Sequence, residues 1–185
     1  LVNRGSLNNK GVELTLNGTL IEKNDLSIDI GGNIAFNKSK IQNLGGTPED
    51  IYINGALENR VFYRGQNIST GNYFRAPANI FMEGEEVGLF YGFETDGIYQ
   101  TEDVITVSGA QAGDVRIVDQ NGDDAITEAD RTIIGNPNPD FVYGGYLSMN
   151  YKRLNLSIQM NGVYGNEIAN GNSIQLGTAE GRSAN

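Results

Sequence analysis

The densest group of oxygen-bearing side chains in the sequence lies in an acidic segment at residues 119–130. Asp119, Asn121, Asp123 and Asp130 occupy the first, third, fifth and twelfth positions of a loop, and the carbonyl of Ala125 stands at the seventh. A hard cation such as Ca²⁺ requires oxygen ligands at this spacing, because short side chains on alternate residues converge where the backbone turns. The segment therefore predicts a structural calcium ion held by these five residues.

Two positions of this loop depart from the usual calcium-binding pattern. Asp124 stands at the sixth position, where glycine is expected, and Asp130 is shorter than the usual closing glutamate. A second interpretation is an acidic Asn-Gly turn followed by a short helix, with Thr127 as the cap and Asp130 three residues later. Both interpretations are open at this point.

The composition of the chain argues against several classes of function. Its 185 residues include 23 Asp or Glu and 13 Lys or Arg, which gives a net charge of −10. Such an acidic chain argues against a nucleic-acid partner, since nucleic-acid binding needs a basic surface to displace counterions. There is no His and no Cys, so disulfides, a Cys nucleophile, the usual general base and the usual zinc ligands are all absent.

A cluster of carboxylates at residues 83–86 could suggest a pair of catalytic acids. Glycosidases use two carboxylates about 5 to 9 Å apart, and Glu83, Glu85 and Glu86 are close in sequence. Adjacent acids before a strand usually form a solvated turn, and the sequence offers no second positioned acid. A glycosidase is therefore the function that we rank last on these residues.

The elements that must position the acidic loop are predicted to be β-strands. The chain has 25 Gly and only 4 Pro, a composition typical of strands and turns. Polar and apolar residues alternate, as they do in strands, over residues 11–21, 26–36, 141–151 and 154–161. Short turns at residues 22–25 and 152–153 would join these segments into two antiparallel hairpins. Residues 60–64 and 87–93 are further strand candidates, and Asp96-Gly97 is predicted to be a turn.

This alternation has two interpretations. In a soluble β-sandwich the apolar face packs on a second sheet, whereas in a membrane barrel it contacts lipid and the polar face lines the lumen. Minimal turns here alternate with long irregular stretches at residues 42–80 and 100–138. Because short turns on one rim and long loops on the other are typical of outer-membrane barrels, the pattern favours up-and-down antiparallel strands with two long loops.

Three segments, taken in order, resemble a known family. They are residues 8–20 (NNKGVELTLNGTL), 83–100 (EGEEVGLFYGFETDGIYQ) and 119–168 (DQNGDDAITEADRTIIGNPNPDFVYGGYLSMNYKRLNLSIQMNGVYGNEI). Together they resemble the C-terminal part of the barrel of SusC/RagA-type TonB-linked outer-membrane transporters, with residues 130–140 as the most specific motif. The resemblance implies that residues 1–185 are a segment of a large, plugged transmembrane β-barrel of about 22 strands in the outer membrane of a Gram-negative bacterium.

The resemblance also implies a function and a set of partners. The family imports oligosaccharides, peptides or other large nutrients with energy transmitted by TonB, and it is not enzymatic. A SusD-like surface lipoprotein would close the outer mouth of the barrel. The TonB complex would act through parts of the protein that we expect outside this segment, and we expect the signal peptide and the plug there as well.

Within such a barrel, membrane lipid would contact the apolar strand faces, and the polar row Asn155, Ser157, Gln159 and Asn161 would face the lumen. Many members of the family have Asp-Gly at the positions of Asp123 and Asp124, so the calcium prediction carries over with one position changed. The alternative is a soluble, calcium-stabilised β-sandwich that binds carbohydrate or protein.

Overall fold

The computed structural model describes residues 5–69 and 75–170. The chain divides into two compact units. Unit 1 comprises Leu1–Leu7, Lys40–Pro137 and Ile168–Asn185, and unit 2 comprises Asn8–Ser39 and Asn138–Glu167. In the described ranges no helix is long and apolar enough to cross a bilayer.

Within residues 5–69 and 75–170, the regular elements are β-strands and one short 3₁₀ helix, η1. In chain order they are β1 (Ser6–Lys23), β2 (Leu26–Asn43), β3 (Glu49–Ile53), β4 (Ala56–Arg60), β5 (Phe62–Arg64), β6 (Asn67–Ser69), β7 (Arg75–Pro77), β8 (Asn79–Met82), β9 (Leu89–Phe93), β10 (Thr95–Ile98), β11 (Val115–Ile117), η1 (Glu128–Asp130), β12 (Arg131–Gly135), β13 (Phe141–Tyr151) and β14 (Leu154–Tyr164). The strand pairs whose register is resolved are antiparallel. The prediction of an all-β antiparallel fold is therefore confirmed.

Unit 2 is built on a four-stranded sheet with the order β1-β2-β13-β14. β13 and β14 pair without interruption from Phe141 opposite Tyr164 to Tyr151 opposite Leu154. The tight turn between them places Lys152 at φ +54°. Both predicted hairpins are confirmed, although β1 and β2 have 18 residues each and continue beyond the segments that alternate. Strand pairing continues there through backbone hydrogen bonds, which need no apolar side chains.

Unit 1 contains a sheet of the order β12-β9-β8-β5 and three two-stranded ribbons, β3–β4, β6–β7 and β10–β11. Its core is a cluster of buried apolar side chains from β3, β8 and β9, with Phe62 and Ile133 packed against it. The cluster consists of Ile51, Ile53, Ile80, Met82, Leu89 and Tyr91. On each of these three strands, two residues that are two positions apart face the cluster, so each short strand has one buried face.

The prediction that residues 42–80 and 100–138 are irregular is wrong. The first segment contains β3 to β7 and the start of β8, and the second contains β11, η1 and β12. These strands have only three to five residues, too few for alternation to register as a pattern. The strand candidate at residues 60–64 is interrupted at Val61, whereas the one at 87–93 is confirmed as β9.

The turn predicted at Asp96-Gly97 is also absent. Both residues lie within β10, where the register with β11 shifts between Thr95 and Ile98. Gly97 has φ +86°, a conformation that glycine adopts without steric cost. The Asp-Gly signal therefore marks a β-bulge in this strand.

Candidate functional site

One face of the four-stranded sheet in unit 2 is apolar across all of its strands. Leu147 on β13 lies opposite Ile158 on β14 and opposite Ile30 on β2. Asp29, next to Ile30 on β2, lies on the polar face. Thr19 Oγ1 of β1 donates to Asp29 Oδ1 (2.6 Å), so Thr19 is also on the polar face. Leu16, three residues before Thr19, is then on the apolar face. The apolar row comprises Val12, Leu14, Leu16 and Leu20 of β1, Leu26, Ile28, Ile30, Ile34 and Phe36 of β2, Phe141, Tyr143, Leu147, Met149 and Tyr151 of β13, and Leu154, Leu156, Ile158, Met160 and Tyr164 of β14.

Much of this apolar row is exposed. Leu154 and Leu16 are each 68% exposed, and Ile158 is 52% exposed. A folded chain that leaves such side chains in water forgoes the hydrophobic stabilisation of burying them. The row therefore has the character of a contact surface for an apolar partner or medium.

The other face of the sheet is polar. Asn155, Ser157, Gln159 and Asn161 alternate with the apolar residues of β14 and lie on one face, as predicted. Asn150 Nδ2 on β13 donates to Ser27 Oγ on β2 (3.1 Å). The polar row therefore extends across neighbouring strands through short polar side chains.

A cavity of about 460 Å³ lies along unit 2. The polar side chains that border it are uncharged: Thr15, Asn17, Asn33, Tyr143, Tyr146, Gln159 and Asn161. The ring of Tyr146 covers Gly31, its direct cross-strand partner, and on the other face the ring of Tyr143 covers Gly162. An aromatic ring over a cross-strand glycine fills the space that a side chain would occupy, so these pairs help to fix the register of the sheet.

An aromatic cluster marks one end of the apolar face. The ring of Phe141 lies 5.6 Å from that of Phe36, 4.9 Å from that of Tyr164 and 6.1 Å from that of Tyr143. The opposite end carries Tyr151 next to the β13–β14 turn. The apolar face thus carries aromatic side chains at both ends, an arrangement that is also found in the strands of outer-membrane barrels.

The acidic loop of unit 1 is closed by hydrogen bonds from its own backbone. Asp119 Oδ1 accepts from the Gly122 amide (2.7 Å) and Asp119 Oδ2 from the Asp124 amide (2.8 Å). Asp123 Oδ1 accepts from the Ala125 amide (2.9 Å), and Asp123 Oδ2 accepts from Asn121 Nδ2 (2.9 Å). These bonds bring the first, third and fifth positions of the predicted ligand set into one turn.

Asp124, at the position where glycine was expected, has φ +60°. This left-handed conformation is the one for which calcium loops use glycine, and Asp is among the few other residues that tolerate it. Asp124 therefore adopts at this position the left-handed conformation for which glycine was expected.

Asp130 is fully buried and serves as a cap. Its Oδ1 accepts from the Gln120 amide (3.0 Å) and its Oδ2 from the Thr127 amide (2.6 Å), while Thr127 Oγ1 accepts from the Ala129 amide (3.2 Å). This reciprocal arrangement is a capping box around η1. The capped-turn interpretation is therefore confirmed. Among residues 5–69 and 75–170, no three His, Cys, Asp or Glu side chains are grouped as metal ligands, and the calcium ion stays a prediction.

The pKa of the Asp119 carboxyl lies below its ordinary value. Burial acts to raise this pKa, but hydrogen bonds from the amides of Asp124, Gly122, Asp123 and Asn121 together lower it. A lowered pKa in the folded state means that the carboxylate stabilises the loop above the ordinary pKa of Asp. That contribution is lost as the pH falls through the lowered value.

Two polar residues that the sequence did not single out attach the loop to the core of unit 1. The Gln120 side chain accepts from the Gly55 amide (2.7 Å) and donates to Glu94 Oε2 (3.1 Å). Thr132 Oγ1 accepts from the Asn54 amide (3.0 Å). Both residues are buried, and their partners are distant in sequence, so no local pattern could have revealed them.

The carboxylates at residues 83–86 make structural contacts. Glu83 Oε1 accepts from the Leu44 amide (2.7 Å), and Glu85 Oε1 lies 2.9 Å from Arg60 Nη1 in an ion pair. Glu86 accepts from Asn136 Nδ2. Each carboxylate thus joins two segments of unit 1, which explains the cluster without catalysis.

Comparison with known proteins connects this geometry to a family. No protein-family model matches the chain. The chain is 32% identical to TonB-dependent receptor P3 of Formosa agariphila over 98% of its length, and 28% identical to TonB-dependent receptor SusC of Bacteroides thetaiotaomicron over 90%. The resemblance to SusC-type TonB-dependent receptors is confirmed. The chain spans only 17% and 15% of the length of these two relatives.

A solved structure has the same fold. The chain aligns with the RagAB peptide transporter at a TM-score of 0.58 and 22% identity, over 88% of this chain and 16% of that one. This likeness supports the antiparallel all-β architecture in a transporter fold. The relatives are named as receptors and the solved structure as a transporter.

Proposed function

We propose that this chain forms part of the wall of an outer-membrane, TonB-dependent transporter, near the C-terminal end of its barrel. The observation that carries the proposal is the sheet of unit 2, in which one face is apolar and exposed and the other is polar. β13 and β14 have 11 residues each, the length with which a tilted strand crosses a bilayer. In this arrangement lipid covers the apolar row, and the polar row lines the lumen.

The cargo and partners in this proposal are those of SusC-type transporters. The cargo is a large nutrient, an oligosaccharide or a peptide; the structural relative RagAB is described as a peptide transporter. A SusD-like lipoprotein covers the extracellular mouth, and TonB acts through parts of the protein outside this segment. The chain then contributes to a passage and performs no catalysis.

The long connections are assigned to the extracellular side in this proposal. Residues 42–80 and 100–138 belong to the long connections, and the β1–β2 and β13–β14 turns belong to the short-turn rim. A calcium ion held by Asp119, Asn121, Asp123, Ala125 and Asp130 would stiffen the connection that contains the acidic loop. The support for the ion is the ligand spacing and the left-handed Asp124.

The test of the proposal is folding with and without detergent, by circular dichroism and size-exclusion chromatography. We expect these 185 residues to aggregate in plain buffer and to recover β-structure in detergent or together with the rest of the protein. The exposed apolar row and the open edges of β1 and β14 are the physical reason.

A sharp, monomeric, β-rich species in plain buffer would contradict the proposal. That result would favour the soluble β-sandwich that binds carbohydrate or protein. Its apolar sheet face would then have to be covered by a second sheet, whereas Leu16, Leu154 and Ile158 are exposed.

A further inference from the structure

The two short turns of unit 2 meet at one end of the apolar face. The Lys152 amide in the β13–β14 turn donates to the carbonyl of Asp25 in the β1–β2 turn (2.9 Å). Tyr151, the last residue of β13, lies opposite both Leu154 and Leu26 on the apolar face. The turns therefore form one rim, and the apolar row begins directly beside it.

Two adjacent cations stand on this rim. Lys152 Nζ lies 5.4 Å from the centre of the Tyr151 ring, which places the ammonium group at the border of the apolar face. Arg153 follows it in the turn and is exposed. Within the described residues, no carboxylate lies at ion-pair distance from Lys152 or Arg153, although Glu22 lies near the end of β1 and Asp25 in the β1–β2 turn.

An unpaired cation next to a tyrosine at the end of an apolar row has a specific chemical complement. The hydrocarbon of a lipid covers the row, the aromatic ring lies at the level of the headgroups, and the cation meets a phosphate. A soluble anion would match only the charge, and an apolar protein surface would match only the row. A lipid with an anionic headgroup matches all three features.

We propose that the Lys152-Arg153 turn binds the phosphate of an anionic phospholipid, with the acyl chains on the apolar row that starts at Tyr151 and Leu154. This inference rests on the proposed function, because it requires the apolar row to contact lipid. Contact between the cations of this turn and a lipid phosphate is selective for the headgroup, whereas contact between the apolar row and lipid hydrocarbon is not. Each Lys or Arg next to an anionic bilayer surface strengthens binding by about fivefold.

The experiment uses the full-length protein in detergent, titrated with phosphatidylglycerol or with phosphatidylcholine, and counts bound lipids by native mass spectrometry. We expect Lys152→Gln to weaken phosphatidylglycerol binding about fivefold, and the double change with Arg153→Gln to weaken it by about 25-fold. Phosphatidylcholine binding should stay as it is. Both residues are in an exposed turn, so the melting temperature should change little.

Lys23→Gln is the matched control. Lys23 is the last residue of β1 on the same rim, but it lies four residues after Thr19 and therefore on the polar face. A loss at Lys23 equal to that at Lys152 would overturn the proposal, because it would show that only net charge matters. Unchanged phosphatidylglycerol binding in the double variant would also overturn it, as would equal competition by inorganic phosphate. A protein that binds neither lipid and is monomeric without detergent would instead refute the proposed function itself.

Discussion

Both units of this chain contain strands with apolar residues at alternate positions, but these residues are buried in unit 1 and exposed in unit 2. In unit 1, inward-facing residues are buried against each other, and Ile80 is 0% exposed. In unit 2, the cleaner alternation of β14 leaves Leu154 at 68% exposure. A period of two therefore establishes that a strand has two different faces, and it does not establish what covers the apolar one.

The charge of the chain is divided in the same way. Residues 40–137 carry sixteen Asp or Glu and six Lys or Arg, whereas the two segments of unit 2 carry six and five. Nearly all of the net charge of −10 is thus located in unit 1. A strongly charged unit with its own core suits water, and a nearly neutral sheet with an exposed apolar row suits a membrane.

The strongest test of this contrast compares one core residue with one residue of the apolar row. We expect Ile80→Ala to lower the free energy of unfolding by about 2 to 5 kcal/mol, because it leaves a cavity in the core of unit 1. Ile158→Ala should cost less, since its side chain lies on an open face where lipid or detergent fills the space. Thermal unfolding of the full-length protein in detergent measures both, and equal losses would contradict the contrast.

The next largest effect concerns the buried cap of unit 1. Asp130→Ala leaves the amides of Gln120 and Thr127 without acceptors, and the loss at the buried Gln120 amide should cost about 1 to 3 kcal/mol. Asp130→Asn keeps one carbonyl oxygen and should cost less. A melting temperature that is unchanged in both variants would show that the capping box does not stabilise unit 1.

In unit 2 the comparable test is the contact between a ring and a glycine. Gly31→Ala places a methyl group against Tyr146 and Asn17, and we expect a loss of about 1 to 3 kcal/mol from overpacking. Gly18→Ala is the control, because nothing lies within 4 Å of the added methyl group. If both variants melt at the same temperature, the ring does not fix the sheet.

The calcium prediction is tested by removing two predicted ligands together. Asp119→Ala with Asp123→Ala should lower the melting temperature more in calcium than in chelator, by a difference of about 1 to 2 kcal/mol in free energy. The loss in chelator measures the hydrogen bonds to the loop amides alone. Equal losses in the two conditions would show that no bound ion contributes to stability.

The smallest effect is expected at Asp124. Asp124→Gly relieves the left-handed strain and should change the free energy of unfolding by less than about 1 kcal/mol, while Asp124→Val should destabilise because a β-branched residue resists this conformation. Chemical denaturation in chelator measures both. A stabilising valine would contradict the assigned backbone conformation.

The two hairpins of unit 2 could be predicted from the sequence, whereas the pairing of β2 with β13 that joins them could not. The strands of the hairpins are long, their alternation is regular and their turns are short, so β13 has the predicted bounds and β14 begins where predicted and ends three residues later, at Tyr164. The acidic loop was located from spacing, and its capped turn follows from Thr127 and Asp130. These features depend on residues that are close together in the sequence, so a local pattern is enough to predict them.

The small sheets of unit 1 could not be predicted, because short strands become stable only by pairing with distant ones. β5 pairs with β8, β9 with β12, and Gln120 joins a turn 65 residues away. The sequence by itself determined which residues share a face in the long strands and where the two short turns of unit 2 lie. Only the tertiary structure decided which faces are buried, because burial depends on what packs against a strand and not on the strand alone.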